Sequence, residues 1–273
     1  MHTQNENTPI RLAAIDLDGT LLGPDSTISP ENLVAVDRLS REGIEVVFAS
    51  GRHFKSMIPY LLPQVKWVVS SQGAEVGTFD QSVTLRCNFL HQDDLGKMMA
   101  AVFLRPVTPV YYTRDEVFTT KTPNAHLTNY SYLSGRTPVF AEKSSILGMD
   151  VQKIIWVGES ALISSLREDK SLSDSGLQAF RTEDTIFEIM PWETSKASAL
   201  ASLTDHLGLR PENVAVFGDG ENDIPMFDWA GTSFAMAHGR QEAIARAKRV
   251  SPAASPDVAF ARSVDLLLSE IRS

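Results

Sequence analysis

"LAAIDLDGTLL", residues 12–22, carries an apolar run straight into two carboxylates, Asp16 and Asp18, and then turns through Gly19 and Thr20. Near-continuous apolar runs belong to strands covered on both faces, usually parallel strands with helices between them. Two like charges this close repel unless a cation or a shared proton relieves them. A hairpin closed by an Asp-Gly turn is the competing reading. Residues two apart in an extended segment point the same way, so Asp16 and Asp18 share one face and Leu17 takes the other.

Similar runs recur as "IEVVFASGR", "WVVSSQG", "NVAVFGDGEND" and "TSFAMAHG", each ending in small or polar residues. Helical patterns fall between them. "SPENLVAVDRLSREG" opens with Ser29 as cap and Pro30 in the first turn, and stops at Gly43. "SKASALASLTDHLG" has Ser195 as cap, Leu200, Leu203 and Leu207 on one face, and Gly208 as stop. The middle of the chain differs. A helix over "HQDDLGKMMAAVFLRP", with Leu95, Met98, Met99, Val102 and Phe103 as its apolar stripe, precedes strands separated by short turns and two further helices. Such an order suggests an antiparallel sheet with helices on one side. The expected organisation is an α/β core from residues 1–81 and 189–273, with an α+β module inserted over 82–188.

Composition is ordinary for a globular protein, with 43% hydrophobic and 22% charged residues. Twenty-five basic residues against 34 acidic ones give a net charge of −9, which argues against a nucleic-acid surface. The single cysteine, Cys87, permits no intrachain disulfide and no cysteine-based zinc site. No segment approaches the roughly 18 apolar residues of a membrane span. These features lead to the expectation of a soluble, cytoplasmic protein, as monomer or homodimer.

In an open parallel α/β sheet, ligands bind beyond the carboxyl ends of the strands. Asp16 and Asp18 would stand there, with Ser50 after the second strand and Asp219 and Asp223 after a later one. Oxygen ligands from Asp16 and Asp219 in one crevice suit a hard divalent cation such as Mg2+; the ligand spacing of a calcium EF-hand is missing. A solvated acidic turn is the alternative for "DGEND", yet an acidic group follows an apolar strand twice in this chain. Ser50 and the N–H groups of Gly51 and Arg52 could cradle an oxyanion, though Ser-Gly-Arg is also an ordinary turn. Lys196 opposes the macrodipole at its helix start, a placement better explained by an anion or nearby carboxylates than by a plain surface position.

Taken in order, "DLDGTLL", "FASGR", "SKASAL" and "GDGENDIPMF" resemble the four motifs of the haloacid dehalogenase (HAD) superfamily, and within it the Cof-like sugar-phosphate phosphatases. The resemblance implies a Rossmann-like parallel-sheet core carrying an inserted α+β cap. It also implies a Mg2+-dependent phosphatase of small phosphorylated metabolites, most often sugar phosphates, working through an aspartyl-phosphate. Asp16 would be the nucleophile and Asp18 the general acid and base, with Lys196 completing the catalytic set. Ser50, Gly51, Lys196 and Asn222 would hold the phosphoryl group. Asp16, Asp18 through its main-chain carbonyl, Asp219 and Asp223 would form the metal site. The dehalogenases lack a counterpart of Asp18, and P-type ATPases need membrane helices. Phosphomutase-like transfer and a catalytically silent binder of the same fold stand as alternatives. The chain departs from the family's pattern at Gln72, at Ala197 and at Ala237-His238-Gly239, which leaves substrate preference open. His126, Tyr130, Arg114 and Trp192 are cap candidates that spacing alone does not place over the crevice.

Overall fold

A computed structural model describes residues 9–272. Two sheets organise the chain. The larger contains β1 (Leu12–Ile15), β2 (Glu45–Ala49), β3 (Val65–Ser70), β4 (Glu75–Thr78), β5 (Thr84–Cys87), β12 (Val214–Gly218), β13 (Thr232–Ala235) and β14 (Arg249–Val250), in the order β14-β13-β12-β1-β2-β3-β4-β5. The smaller contains β6 (Thr108–Thr113), β7 (Val117–Thr119), β8 (Val139–Phe140), β9 (Val151–Val157), β10 (Leu177–Glu183) and β11 (Ile186–Pro191), in the order β10-β11-β9-β6-β7-β8.

Strands β14 through β3 run parallel, as the uniform apolar runs require, and β4 and β5 append an antiparallel edge. The β1 residues alternate between two cores. Ala13 and Ile15 pack with the helices Pro30–Arg41 and Ala259–Ile271, while Leu12 and Ala14 pack with the helix Lys196–Leu207. This double burial explains why β1 shows no polar alternation. The helix starts follow their sequence signals. Ser29 Oγ accepts the Asn32 N–H at 3.1 Å ahead of Pro30, and Ser195 and Ser198 cap each other reciprocally before Gly208 ends the helix at φ +65°.

The smaller sheet is antiparallel apart from the β7–β8 pair. Leu95, Met98, Met99 and Val102 are buried on one of its faces, as their spacing predicts. Phe103 is 74% exposed, contrary to the predicted stripe: after Ala101 the helix tightens into a 3-10 turn, Val102–Leu104, and its apolar face loses phase. Two strands lie across the expected boundaries. β5 pairs with β4 in the larger sheet, although it follows residue 81, and β11 belongs wholly to the smaller sheet, although it runs past residue 188. A strand's partner is set by pairing across space, which a single run of sequence does not encode.

Candidate active site

Parallel β1 and β12 end side by side, Ile15 in register with Phe217, which delivers Asp16 and Asp219 to one edge of the sheet. The Asp16 N–H donates to the Phe217 carbonyl at 2.9 Å and fixes the start of the loop. Gly19 then turns at φ +75°. A Cβ at this glycine would stand 2.4 Å from Asp219 Oδ2, so the turn presses on the second strand's carboxylate at a distance only glycine allows.

Lys196, the first residue of its helix, is buried and reaches across to both strand ends. Its ammonium donates to Asp16 Oδ1 at 2.5 Å and to Asp223 Oδ1 at 2.6 Å. Asp223 Oδ2 accepts the N–H groups of Asp219 at 2.9 Å and Gly220 at 3.0 Å. One side chain thus ties the lysine to the loop after β12. Carboxylate oxygens of Asp16, Asp219 and Asp223 lie within 4.8 Å of one another. Three carboxylates share one ammonium, so negative charge is in excess. Burial pushes Asp16 well above the usual carboxylate range, against the pull of Lys196 and with the help of Asp223 and Asp219. Burial and the Asp223 charge push Asp219 up to about 7. Lys196 is itself held high: burial disfavours its charge, but Asp16 and Asp223 outweigh that. Crowded hard oxygens with surplus negative charge are a donor set suited to a divalent cation that tolerates few protein ligands.

Asp18 does not join this cluster with its side chain. Its carboxylate, 52% exposed, is gripped by Arg52, with Nε to Oδ2 at 2.8 Å and Nη2 to Oδ1 at 2.6 Å. Arg52 itself is 8% exposed and lies over the Tyr60 ring at 5.2 Å. Ser50 and Gly51 follow β2 in the adjacent loop. Ser50 Oγ accepts the Arg52 N–H at 3.1 Å, which leaves its own O–H free to donate. Asn222 Nδ2 donates to Gln72 Oε1 at 3.1 Å. Gln72 follows Ser71 and precedes Gly73 in a run of three left-handed residues, and its Nε2 would stand 2.5 Å from a Cβ at Gly51. The residue that departs from the family's pattern is therefore packed between two predicted phosphoryl-holding positions.

The smaller sheet lies over this edge. Lys153 Nζ, on β9, donates to the Gly51 carbonyl at 2.8 Å and to Glu188 Oε2 at 2.8 Å. Arg167 pairs with Glu221, and Gln152 and Arg114 both donate to Glu75. His53 Nε2 meets the Thr113 carbonyl at 3.0 Å. A cavity of about 150 Å³ opens beside Lys196, lined by Gln72, Ser195, Asn222 and Pro225 below and by Gln178, Phe180 and Met190 above.

Of the residues expected from sequence, Asp16, Lys196, Asp219 and Asp223 are in mutual contact or nearly so, and Ser50, Gly51 and Asn222 line the same edge. Glu221, which lies between Asp219 and Asp223, is turned toward Arg167 instead. His238 Nε2 donates to the Gly19 carbonyl at 2.8 Å, bracing the first loop. Among the cap candidates, Arg114 serves Glu75, Tyr130 is buried with its O–H on Tyr112 Oη at 2.7 Å, and Trp192 is 64% exposed. The Arg52 N–H, expected to help cradle an oxyanion, donates to Ser50 Oγ instead, and neither the Arg52 side chain nor Lys153 was legible as part of the site, since "VQKIIWVG" reads only as a strand.

Comparison with known proteins agrees with this geometry. The model of the haloacid dehalogenase-like hydrolases matches residues 13–259. An HMP-PP phosphatase of Escherichia coli O6:H1 is 30% identical over 237 residues, covering 84% of each chain. An HMP-PP phosphatase of Shigella boydii serotype 4 is 30% identical over 237 residues, covering 84% of this chain and 88% of its own. In fold, a HAD phosphatase from Bacteroides thetaiotaomicron superposes with a TM-score of 0.84 at 20% identity, covering 99% of this chain and 98% of its own. A sugar phosphatase of HAD subclass IIB superposes with a TM-score of 0.82 at 17% identity, covering 96% and 99%. The chain belongs to the haloacid dehalogenase-like hydrolase family, as a Cof-like phosphatase.

Proposed function

We propose that the chain is a Mg2+-dependent phosphomonoesterase of small phosphorylated metabolites, with sugar phosphates as the first class to test, and that it works through an aspartyl-phosphate on Asp16. The observation that carries this reading is the buried contact of Lys196 with both Asp16 and Asp223, beside Asp219. The Lys196 ammonium at 2.5 Å favours the charged form of the nucleophile, in part opposing the burial and neighbouring carboxylates that favour its protonation, and a bound divalent cation would add to that pull.

Asp16 and Asp219 would hold the metal with the main-chain carbonyl of Asp18, and Asp223 would anchor the set from behind, both its oxygens already accepting hydrogen bonds. The ion, when bound, would offset the repulsion between an anionic nucleophile and an anionic phosphoryl group. Asp16 would attack phosphorus through one carboxylate oxygen. Ser50, the Gly51 N–H, Lys196 and Asn222 would hold the other phosphoryl oxygens, and Asp18 would give a proton to the departing oxygen. In the second half, Asp18 would take a proton from water as that water attacks phosphorus, freeing inorganic phosphate and restoring Asp16. Each Asp18 oxygen accepts one hydrogen bond from Arg52 and keeps a second lone pair for that proton, on a side chain that is half exposed.

The HMP-PP phosphatases similar to this chain support placing a phosphorylated heterocycle beside sugar phosphates in the assay. Phosphate release from such a panel, with Mg2+ and with EDTA, tests the reading. Metal-dependent release that vanishes in Asp16→Asn is expected. Bound Mg2+ without release from any ester would overturn it in favour of a silent binder, and phosphoryl exchange between sugar phosphates without net release would point to a mutase.

A further inference from the structure

Lys153 is the most conspicuous charge not used above. It lies on β9, in register with Tyr112 of β6, fully buried, its ammonium 4.6 Å from the centre of the Tyr112 ring. Its partner Glu188 is 5% exposed and also accepts from Thr182 Oγ1 at 3.3 Å. Burying such a pair costs desolvation that its mutual attraction repays only in part, so it is weak evidence for a stabilising role. The third contact of the ammonium, to the Gly51 carbonyl at 2.8 Å, joins the smaller sheet to the loop after β2.

The Gly51–Arg52 peptide is held at both ends. Its carbonyl accepts from Lys153, and its N–H donates to Ser50 Oγ. Hydrogen bonds in series polarise one another, most strongly where one donor is charged and the surroundings exclude water. With its lone pair engaged, the Ser50 hydroxyl must send its hydrogen elsewhere, and the crevice beside Gly51 and Lys196 is where an anion would be received. The side chain borne by the same peptide, Arg52, holds Asp18. A single peptide plane thus links the upper sheet, the phosphoryl-holding serine and the acid.

Resting on the phosphatase reading above, we propose that Lys153 is a positioning residue: when the upper sheet is seated, its ammonium fixes the Gly51–Arg52 peptide and so aims the Ser50 hydroxyl at a phosphoryl oxygen. Closure of the cap and capture of the phosphoryl group are then one event. Lys153 touches no substrate in this scheme; it acts through Ser50.

Inorganic phosphate binding, measured by calorimetry with Mg2+ present, tests this without turnover. Lys153→Met should weaken phosphate binding roughly tenfold in the wild-type background, the loss of one charged hydrogen bond in a series. In a Ser50→Ala background the same substitution should cost nothing further, because the group it positions is gone. Lys153→Met leaves Glu188 buried and unpaired, so Lys153→Met/Glu188→Gln is measured in parallel, and it should keep the melting temperature while showing the same loss. Unchanged affinity in that double variant would overturn the proposal, as would an equal loss with and without Ser50, or no phosphate binding by the wild-type chain. A wild-type chain that binds phosphate and obeys this pattern, yet hydrolyses no ester, would overturn the phosphatase reading alone.

Discussion

Arg52 grips both carboxylate oxygens of Asp18, and the arginine is buried while the aspartate is half exposed. The acid is therefore held from the protein side and offered to the cleft on the other. A planar guanidinium fork fixes a carboxylate's plane in a way an ammonium does not. Arg52→Lys should lower kcat roughly tenfold or more with a smaller change in KM, because proton delivery suffers more than binding. Steady-state kinetics on an aryl phosphate decide it, and an unchanged kcat would remove the clamp from the mechanism.

The two aspartates of the first loop should separate by metal affinity. Asp16 stands in the carboxylate cluster and Asp18 does not, so Asp16→Asn should lose both turnover and Mg2+ binding. Asp18→Asn should lose turnover while retaining most Mg2+ affinity. Calorimetric Mg2+ titrations of the two variants make the comparison, and equal losses would contradict the separation.

Surplus negative charge at Asp16, Asp219 and Asp223 predicts that the metal stabilises the fold. A ligand that binds only the native state adds stability by mass action, about 2.7 kcal/mol at a hundred times its Kd. Melting temperature should rise with Mg2+ over EDTA, and the rise should shrink strongly in Asp219→Asn. Identical melting curves in both conditions would argue that no divalent ion binds there.

His53 gives a pH dependence of known sign. Burial holds its folded-state pKa at about 4, against the hydrogen bond to the Thr113 carbonyl that favours its charge. Its Nδ1 also accepts the Lys55 N–H, capping the short helix Phe54–Met57, and a proton there would break that cap. Above the unfolded value of about 6.5 both states are neutral and this contribution is fully present. As pH falls from 6.5 to 4 the unfolded chain gains a proton the folded chain refuses, and about 3 kcal/mol is lost. Denaturant unfolding across that window should be flatter in His53→Gln than in the wild type. Parallel curves would show that carboxylates alone set the acid limb.

Much of this was legible in the residues themselves. "LAAIDLDGTLL" announces a central strand because burial on both faces removes polar alternation, and Ser29, Ser195, Gly43 and Gly208 mark helix ends by local bonds that depend on few neighbours. Asp16, Asp219 and Lys196 were legible because they follow strands or open a helix. What was hidden depended on distant partners. β4 is four residues of ordinary composition that become a strand by pairing backwards on β3. Phe103 fell out of phase through one tightened turn. Arg52 and Lys153 are defined by Asp18 and Gly51, partners 34 and 102 residues away, and no local pattern records that.

β1 lies between β2, which follows it closely, and β12, which arrives some 200 residues later. During synthesis one flank of Leu12–Ile15 stays open until Val214–Gly218 emerges, so the most apolar strand of the sheet is an unpaired edge for most of translation. Open apolar edges recruit foreign strands. A chain stopped anywhere inside the smaller sheet would keep that edge permanently, which makes truncated products of this gene the species to look for in its aggregates.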